Sequence, residues 1–180
     1  MGAVAWDHRE QPPLGDPVEV VDYDPAWAGL FERERARLRA ALGPLAAAIE
    51  HVGSTAVPGL AAKPVLDILV GAAPFPLLDD ALAALAPLGY EYRGDSVPGR
   101  QFFRTNPRTR HLHVVAFGGE EWERLVLFRD YCRAHPEVAA EYEALKRRLA
   151  TDHPDERARY TEGKNAFIQA VLRRARAERA

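Results

Sequence analysis

His51-Val52-Gly53-Ser54-Thr55-Ala56-Val57-Pro58-Gly59-Leu60 has the composition of a loop, and Val65-Leu66-Asp67-Ile68-Leu69-Val70 that of a short strand. Side chains alternate along a strand. Val65, Asp67 and Leu69 therefore share one face, and Leu66, Ile68 and Val70 share the other. The second set is a plain core set. Asp67 stands out, because an acid in an apolar strand is costly unless it is paired, hydrogen-bonded or bound to a metal. It is a candidate catalytic or metal-binding residue. The plainer alternative is a structural carboxylate that caps loop amides or pairs with an arginine. The preceding Gly53-Ser54-Thr55 has the chemistry of an anion site. Glycine lets backbone approach closely, a hydroxyl donates a hydrogen bond, and exposed amides attract negative charge.

Upstream, residues 1–17 contain Gly2, Pro12, Pro13, Gly15 and Pro17 and little periodicity, which predicts a loose arm. Val18 to Val21 could form a short edge strand. Asp24-Pro25 then marks a helix start, with Asp24 as the cap and Pro25 in the first turn. Leu30, Glu34, Leu38 and Leu42, with Phe31, Leu45 and Ile49 nearby, form the stripe of an amphipathic helix that Gly43-Pro44 ends or bends. Downstream, Leu77, Leu78, Ala81, Leu82 and Leu85 predict a crossover helix. Strands are expected at Tyr90–Arg93, Gln101–Thr105 and His111–Phe117. From Glu120 on the pattern is helical, broken at His135-Pro136 and again over 152–155. The order predicts an α/β (α+β) domain over 18–178, with a mixed sheet, helices packed mainly on one side and a helical C-terminal half. Residues 77–87 are expected to lead to a parallel strand in a right-handed βαβ unit.

Bulk properties narrow the function classes. The 180 residues are 47% hydrophobic and 28% charged, with a formal net charge of -2, and the pI is near 6.3. Such a balance gives no case for a nucleic-acid partner. The single cysteine, Cys132, excludes an internal disulfide and a cysteine-cluster zinc site. No apolar stretch approaches the ~20 residues that cross a bilayer. Asp7, His8, Arg9 and Glu10 stand where a signal peptide needs an apolar run. A cytoplasmic protein without a membrane partner is the expectation. Neither a dinucleotide-binding glycine loop nor a Walker A loop is present.

Several stretches together resemble the GrpB family, also known as UPF0157. They are Ile49 to Leu60, Ala62-Lys63-Pro64-Val65-Leu66-Asp67-Ile68, Gly99-Arg100-Gln101-Phe102-Phe103, His111-Leu112-His113-Val114 and Phe128-Arg129-Asp130-Tyr131. Tyr142, Leu145-Lys146, Tyr160 and Lys164 extend the likeness, which covers roughly residues 18 to 175. The resemblance implies a nucleotidyltransferase-like fold. In that superfamily a glycine-serine pair holds nucleotide phosphates, and a strand with two alternate acids holds Mg2+ beside an acid from a later strand. Carried over, Gly53, Ser54 and Thr55 fall on the phosphate-binding turn and Asp67 on the first metal acid. Lys63, Arg100 and Lys164 are the basic residues of the family pattern best suited to complete a phosphate pocket. This chain departs from the superfamily at the second acid, where Leu69 stands. The later strand offers His111 and His113 in place of an acid. Histidine suits zinc or iron better than Mg2+.

Three functions follow as expectations. The first is transfer of a nucleoside monophosphate from a nucleoside triphosphate to a small acceptor, with Mg2+ on Asp67 and His113 as general base. The second is non-catalytic binding of a nucleotide or phosphorylated metabolite, linked to coenzyme A because similar domains are fused to dephospho-coenzyme A kinase. The third is a transition-metal enzyme built on His51, His111 and His113.

Overall fold

A computed structural model describes residues 18–94 and 97–179. The arm expected over 1–17 and the first two residues of the expected turn at 95–99 lie outside the described residues. Helix α1 (Ala26–Leu42) opens the fold. Asp24 Oδ1 accepts the Ala26 N–H at 2.8 Å, as its capping role requires. Trp27, Phe31, Glu34, Leu38 and Leu42 are buried at the roughly 3.6-residue period of one helix face. Gly43, at φ 53°, stops the helix.

The chain then enters a strand where the sequence pattern suggested the tail of the helix. Strand β1 (Ala46–Val52) pairs antiparallel with β2 (Leu66–Ala72). Ile49 therefore belongs to a sheet, opposite Val70. After β2 come a short helix α2 (Asp79–Ala83), β3 (Tyr90–Tyr92), β4 (Arg100–Thr105) and β5 (Arg110–Ala116). The sheet order is β1-β2-β5-β4-β3. Among the described residues only β2 and β5 pair in parallel. The crossover from β2 through α2 thus does not deliver an adjacent strand. β3 runs in the direction of β2 from the far edge, with β5 and β4 between them. Val21 makes only an isolated bridge to Ala62 rather than an edge strand.

The helical half comprises α3 (Glu120–Ala134), α4 (Pro136–Asp152), α5 (Arg157–Glu162) and α6 (Asn165–Arg179). The last expected helix is thus two, broken at Gly163 and Lys164. A methyl group on Gly163 would lie 2.6 Å from Leu149, so glycine lets the break close onto α4. Leu66, Ile68, Val70, Leu112 and Val114 pack under α1 through Trp27, Phe31, Leu38 and Leu42. On the opposite face Val52, Leu69 and Val115 meet Trp122 of α3. Leu127, Tyr131, Val138, Tyr142, Val171 and Leu172 join α3, α4 and α6 into a further apolar cluster. Each such side chain contributes roughly 1.5–3 kcal/mol when removed from water. Most of the helical mass therefore lies on Asp67's side of the sheet, with α1 covering the other. Among the described residues, no helix is long and apolar enough to cross a membrane.

Candidate functional site

The parallel register sets Asp67 of β2 beside His111 of β5, and Leu69 beside His113. All four side chains face the C-terminal helices. His111 Nδ1 lies 3.2 Å and His113 Nε2 3.3 Å from the same carboxylate oxygen, Asp67 Oδ1. Arg100 Nη1 is 3.3 Å from His113 Nδ1. A guanidinium can only donate, so His113 Nδ1 accepts and the ring proton sits on Nε2, directed at Asp67. Burial works to raise the Asp67 pKa, but the two imidazole donors outweigh it and hold the acid well below its usual range. Burial pushes His113 down to about 4, against the pull of Asp67. The arrangement is a neutral histidine bridging a carboxylate and an arginine.

Gly53 ends β1 at φ 72° and lies against Asp67 Oδ2. Ser54 lies in the tight turn that follows, near the Tyr142 hydroxyl. These residues open a cleft of about 250 Å³ between the sheet and helices α3 to α6. Gly53, Ser54, Thr55, Lys63, Asp67, Arg100, His111, His113 and Lys164 all line it. The fold thus brings together every candidate residue except His51.

His51 points the other way. It pairs with Ile68 across the β1–β2 ladder, stacks on Phe31 of α1 at 4.8 Å and bonds Thr55 Oγ1 at 2.9 Å. The three-histidine metal group is therefore not assembled. Among the described residues, no group of three or more His, Cys, Asp or Glu is disposed to hold a metal ion. A two-ion Mg2+ centre does not fit the donor set either. Leu69 is fully buried at the second-acid position. Glu50, on the same face, is held by Arg129 Nη1 at 2.6 Å.

Positive charge fills the other end of the cleft. Lys63 Nζ is buried and, among the described residues, has no hydrogen-bond partner. It lies 5.2 Å from the Tyr160 ring centre, and Lys164 Nζ lies 4.6 Å from the same ring. Lys146, buried within α4, donates to the Ala61 carbonyl and sits over Tyr142. Burial lowers the Lys63 ammonium well below its ordinary pKa, and repulsion from Lys164, Arg157 and Lys146 adds to the effect. Burial takes Lys146 to about 7 and Lys164 to about 8. At the mouth, Arg124 Nε donates to Glu121 at 2.7 Å, and Glu121 also faces Arg100 at 3.9 Å. Leu125, Phe128 and Ile168 supply an apolar wall. Arg124 and Asn165 had no sequence signal, since helices far along the chain bring them in. Tyr142, Lys146 and Tyr160 carried one only through the family pattern.

A mixed five-stranded sheet whose second strand presents an acid to a glycine-serine turn defines a nucleotidyltransferase-like architecture. The chain belongs to the GrpB family, whose model, described as GrpB protein, matches residues 17–174. It is 38% identical over 162 residues to the UPF0157 protein YqkA of Bacillus subtilis, a match covering 88% of this chain and 47% of that protein. The chain thus spans about half the length of that relative. The crystal structure of conserved protein GrpB from Enterococcus faecalis superposes with a TM-score of 0.78 at 38% identity, covering 87% of this chain and 96% of that one. A more distant likeness, 28% over 195 residues, is to a dephospho-CoA kinase of Mycolicibacterium paratuberculosis, covering 88% of this chain and 46% of the kinase.

Proposed function

We propose that the cleft binds a nucleotide or another phosphorylated metabolite, its phosphates lying between the Gly53–Thr55 turn and the lysines. One observation carries this reading: Lys63 Nζ is buried in the cleft wall without a hydrogen-bond partner. A desolvated ammonium costs several kcal/mol unless an anion compensates it, by roughly the effective penalty for one buried ion. A phosphate between Lys63 and the Ser54 hydroxyl would supply that compensation. The apolar wall of Leu125, Phe128 and Ile168 suits the uncharged body of the ligand. The likeness to part of a dephospho-CoA kinase points toward coenzyme A precursors as candidates, by association alone.

A second reading, nucleotidyl transfer, is favoured by Asp67 and His113 standing on one face beside the turn. His113 Nδ1 would take a proton from the acceptor only after Arg100 gave it up for a ligand phosphate. Asp67 would keep the ring oriented through Nε2. Asp67 would be the residue to hold a Mg2+ ion, together with the ligand's own phosphates. Such an ion would supply charge neutralisation.

Calorimetric titration with ATP, GTP, CTP, UTP and coenzyme A precursors, with and without Mg2+, tests both readings. Binding that persists without Mg2+ and in Asp67→Ala supports the binding role. Binding that needs both, followed by turnover with a small acceptor, supports transfer. Absence of binding to every ligand would remove both readings.

A further inference from the structure

Two ammonium groups share one aromatic ring in the wall of the cleft. Lys63 Nζ and Lys164 Nζ stand 5.2 Å and 4.6 Å from the centre of the Tyr160 ring. Tyr160 is itself buried. The third lysine there, Lys146, already donates to the Ala61 carbonyl. Among the described residues Lys63 has no hydrogen-bond partner, and the Lys164 ammonium makes a cation–π contact with Tyr160. Lys63 is therefore uncommitted, and Lys164 stands beside it over a ring that cannot neutralise either.

We infer that the Lys63–Tyr160–Lys164 group is a subsite for a terminal, doubly charged phosphate, and that filling it draws a proton into the cleft. The inference rests on the phosphate-binding reading of the same cleft and adds which end of the ligand enters first. A phosphate monoester or the end of a polyphosphate carries close to two negative charges at neutral pH, since its second ionisation falls near pH ~6. One charge for each ammonium leaves the group balanced. A phosphodiester or a carboxylate brings one charge and leaves an ammonium buried and unmatched, the costly outcome.

Proton uptake follows from the same crowding. The charged and titratable groups facing Lys63 are Lys164 of the α5–α6 break, Arg157 of α5, Lys146 of α4 and Asp67 of β2, with Tyr160 between them. All but Asp67 and Tyr160 repel a second positive charge. In the empty cleft burial and this repulsion favour release of a proton from Lys63, and burial brings Lys164 to about 8 against the pull of Asp67. A dianion reverses the balance and makes both ammonium forms favourable.

The test is calorimetry near pH ~8, the value to which Lys164 is brought. Each nucleoside 5′-monophosphate is titrated against its 3′,5′-cyclic monophosphate, with pyrophosphate as the base-free probe. Runs in two buffers of different ionisation enthalpy count the protons. The best 5′-monophosphate, or pyrophosphate, should bind at least about tenfold more tightly than any cyclic form, the loss expected for one charged hydrogen bond. Binding should take up a fraction of a proton. Lys63→Met and Lys164→Met should each remove both the preference and the uptake while thermal unfolding shows them folded. Equal affinity for the monoester and the cyclic diester, or tight binding without proton uptake, overturns the inference and leaves the broader phosphate reading standing. Failure of every phosphate, pyrophosphate and ATP included, removes both.

Discussion

Gly53 and Asp67 pack so closely that a methyl group on Gly53 would lie 2.5 Å from Asp67 Oδ2. Gly53 also holds φ at 72°, a region that L side chains rarely adopt. Two separate penalties therefore meet in Gly53→Ala, the backbone strain and the clash with the carboxylate. We expect a loss of about 2 kcal/mol or more in urea unfolding, of which the backbone accounts for about 1–2 kcal/mol. In an Asp67→Ala background the carboxylate clash is gone and a tight 3.0 Å contact with the remaining Cβ is left, so the loss should shrink toward the backbone part. A double-mutant cycle showing equal losses in the two backgrounds would mean the carboxylate moves aside freely.

Lys63 predicts an opposition between stability and binding. Its ammonium is buried with no hydrogen-bond partner and is repelled by Lys164 and Arg157. Lys63→Met keeps the chain length and removes the charge. The variant should be more stable than the parent, by about 1–2 kcal/mol, since apolar replacement of a poorly compensated buried charge commonly stabilises. It should also lose affinity for phosphates. A thermal midpoint below that of the parent would show that the lysine is compensated in the empty protein.

The buried histidines set the acid response. His51 and His113 each have a folded pKa near 4 against an ordinary 6.5. Between those values the unfolded chain binds the proton and the folded one does not, so stability falls as pH falls from 6.5 to about 4. Each histidine contributes up to about 3 kcal/mol of that loss. Asp67 acts in a lower window. Its folded pKa is depressed, so its contribution is present above the ordinary carboxylate pKa of 3.8 and is lost as pH falls further toward the folded value. His51→Gln can keep a bond to Thr55 and cannot titrate. Its unfolding free energy should fall less steeply between pH 6.5 and 4 than that of the parent, as denaturation at a series of pH values would record.

These relationships differ in how far the sequence revealed them. Gly53, Ser54 and Asp67 were legible because a turn and a strand separated by a short loop carry their own composition signals. The alternation of Leu66, Ile68 and Val70 against Asp67 and Leu69 followed from period two alone. Strand β1 was not legible. Ala46-Ala47-Ala48 favours helix by propensity, and Ile49 continued the stripe of Leu38 and Leu42. Pairing with β2 overrode both. That miss also misplaced His51, whose face could only be assigned once its register opposite Ile68 was known. Lys63, Lys146 and Lys164 were visible as basic residues of a family pattern. Their convergence on Tyr142 and Tyr160 depends on how α4, α5 and α6 pack, which no local pattern encodes. The same holds for Arg124.

Leu69 offers the sharpest test of how the cleft departs from a two-ion transferase. It is fully buried against Val52, Val115 and Trp122, with His113 as its parallel neighbour. Leu69→Asp would restore the alternate acid but would place it in a dry, apolar cluster. The nearest carboxylate on that face, Glu50, is already tied to Arg129 at 2.6 Å. We expect the variant to lose about 3 kcal/mol or more in denaturant unfolding, as a buried unpaired charge does. Millimolar Mg2+ should not restore the loss, because Asp67 Oδ1 is engaged by His111 and His113 and the new carboxylate faces Trp122 rather than the cleft. A ligand that binds only the folded form raises its stability by mass action. A rise in the Leu69→Asp unfolding midpoint with Mg2+, absent in the parent, would therefore mean that the surrounding geometry still suits a second ion. Leu69 alone would then separate this cleft from a metal-dependent one.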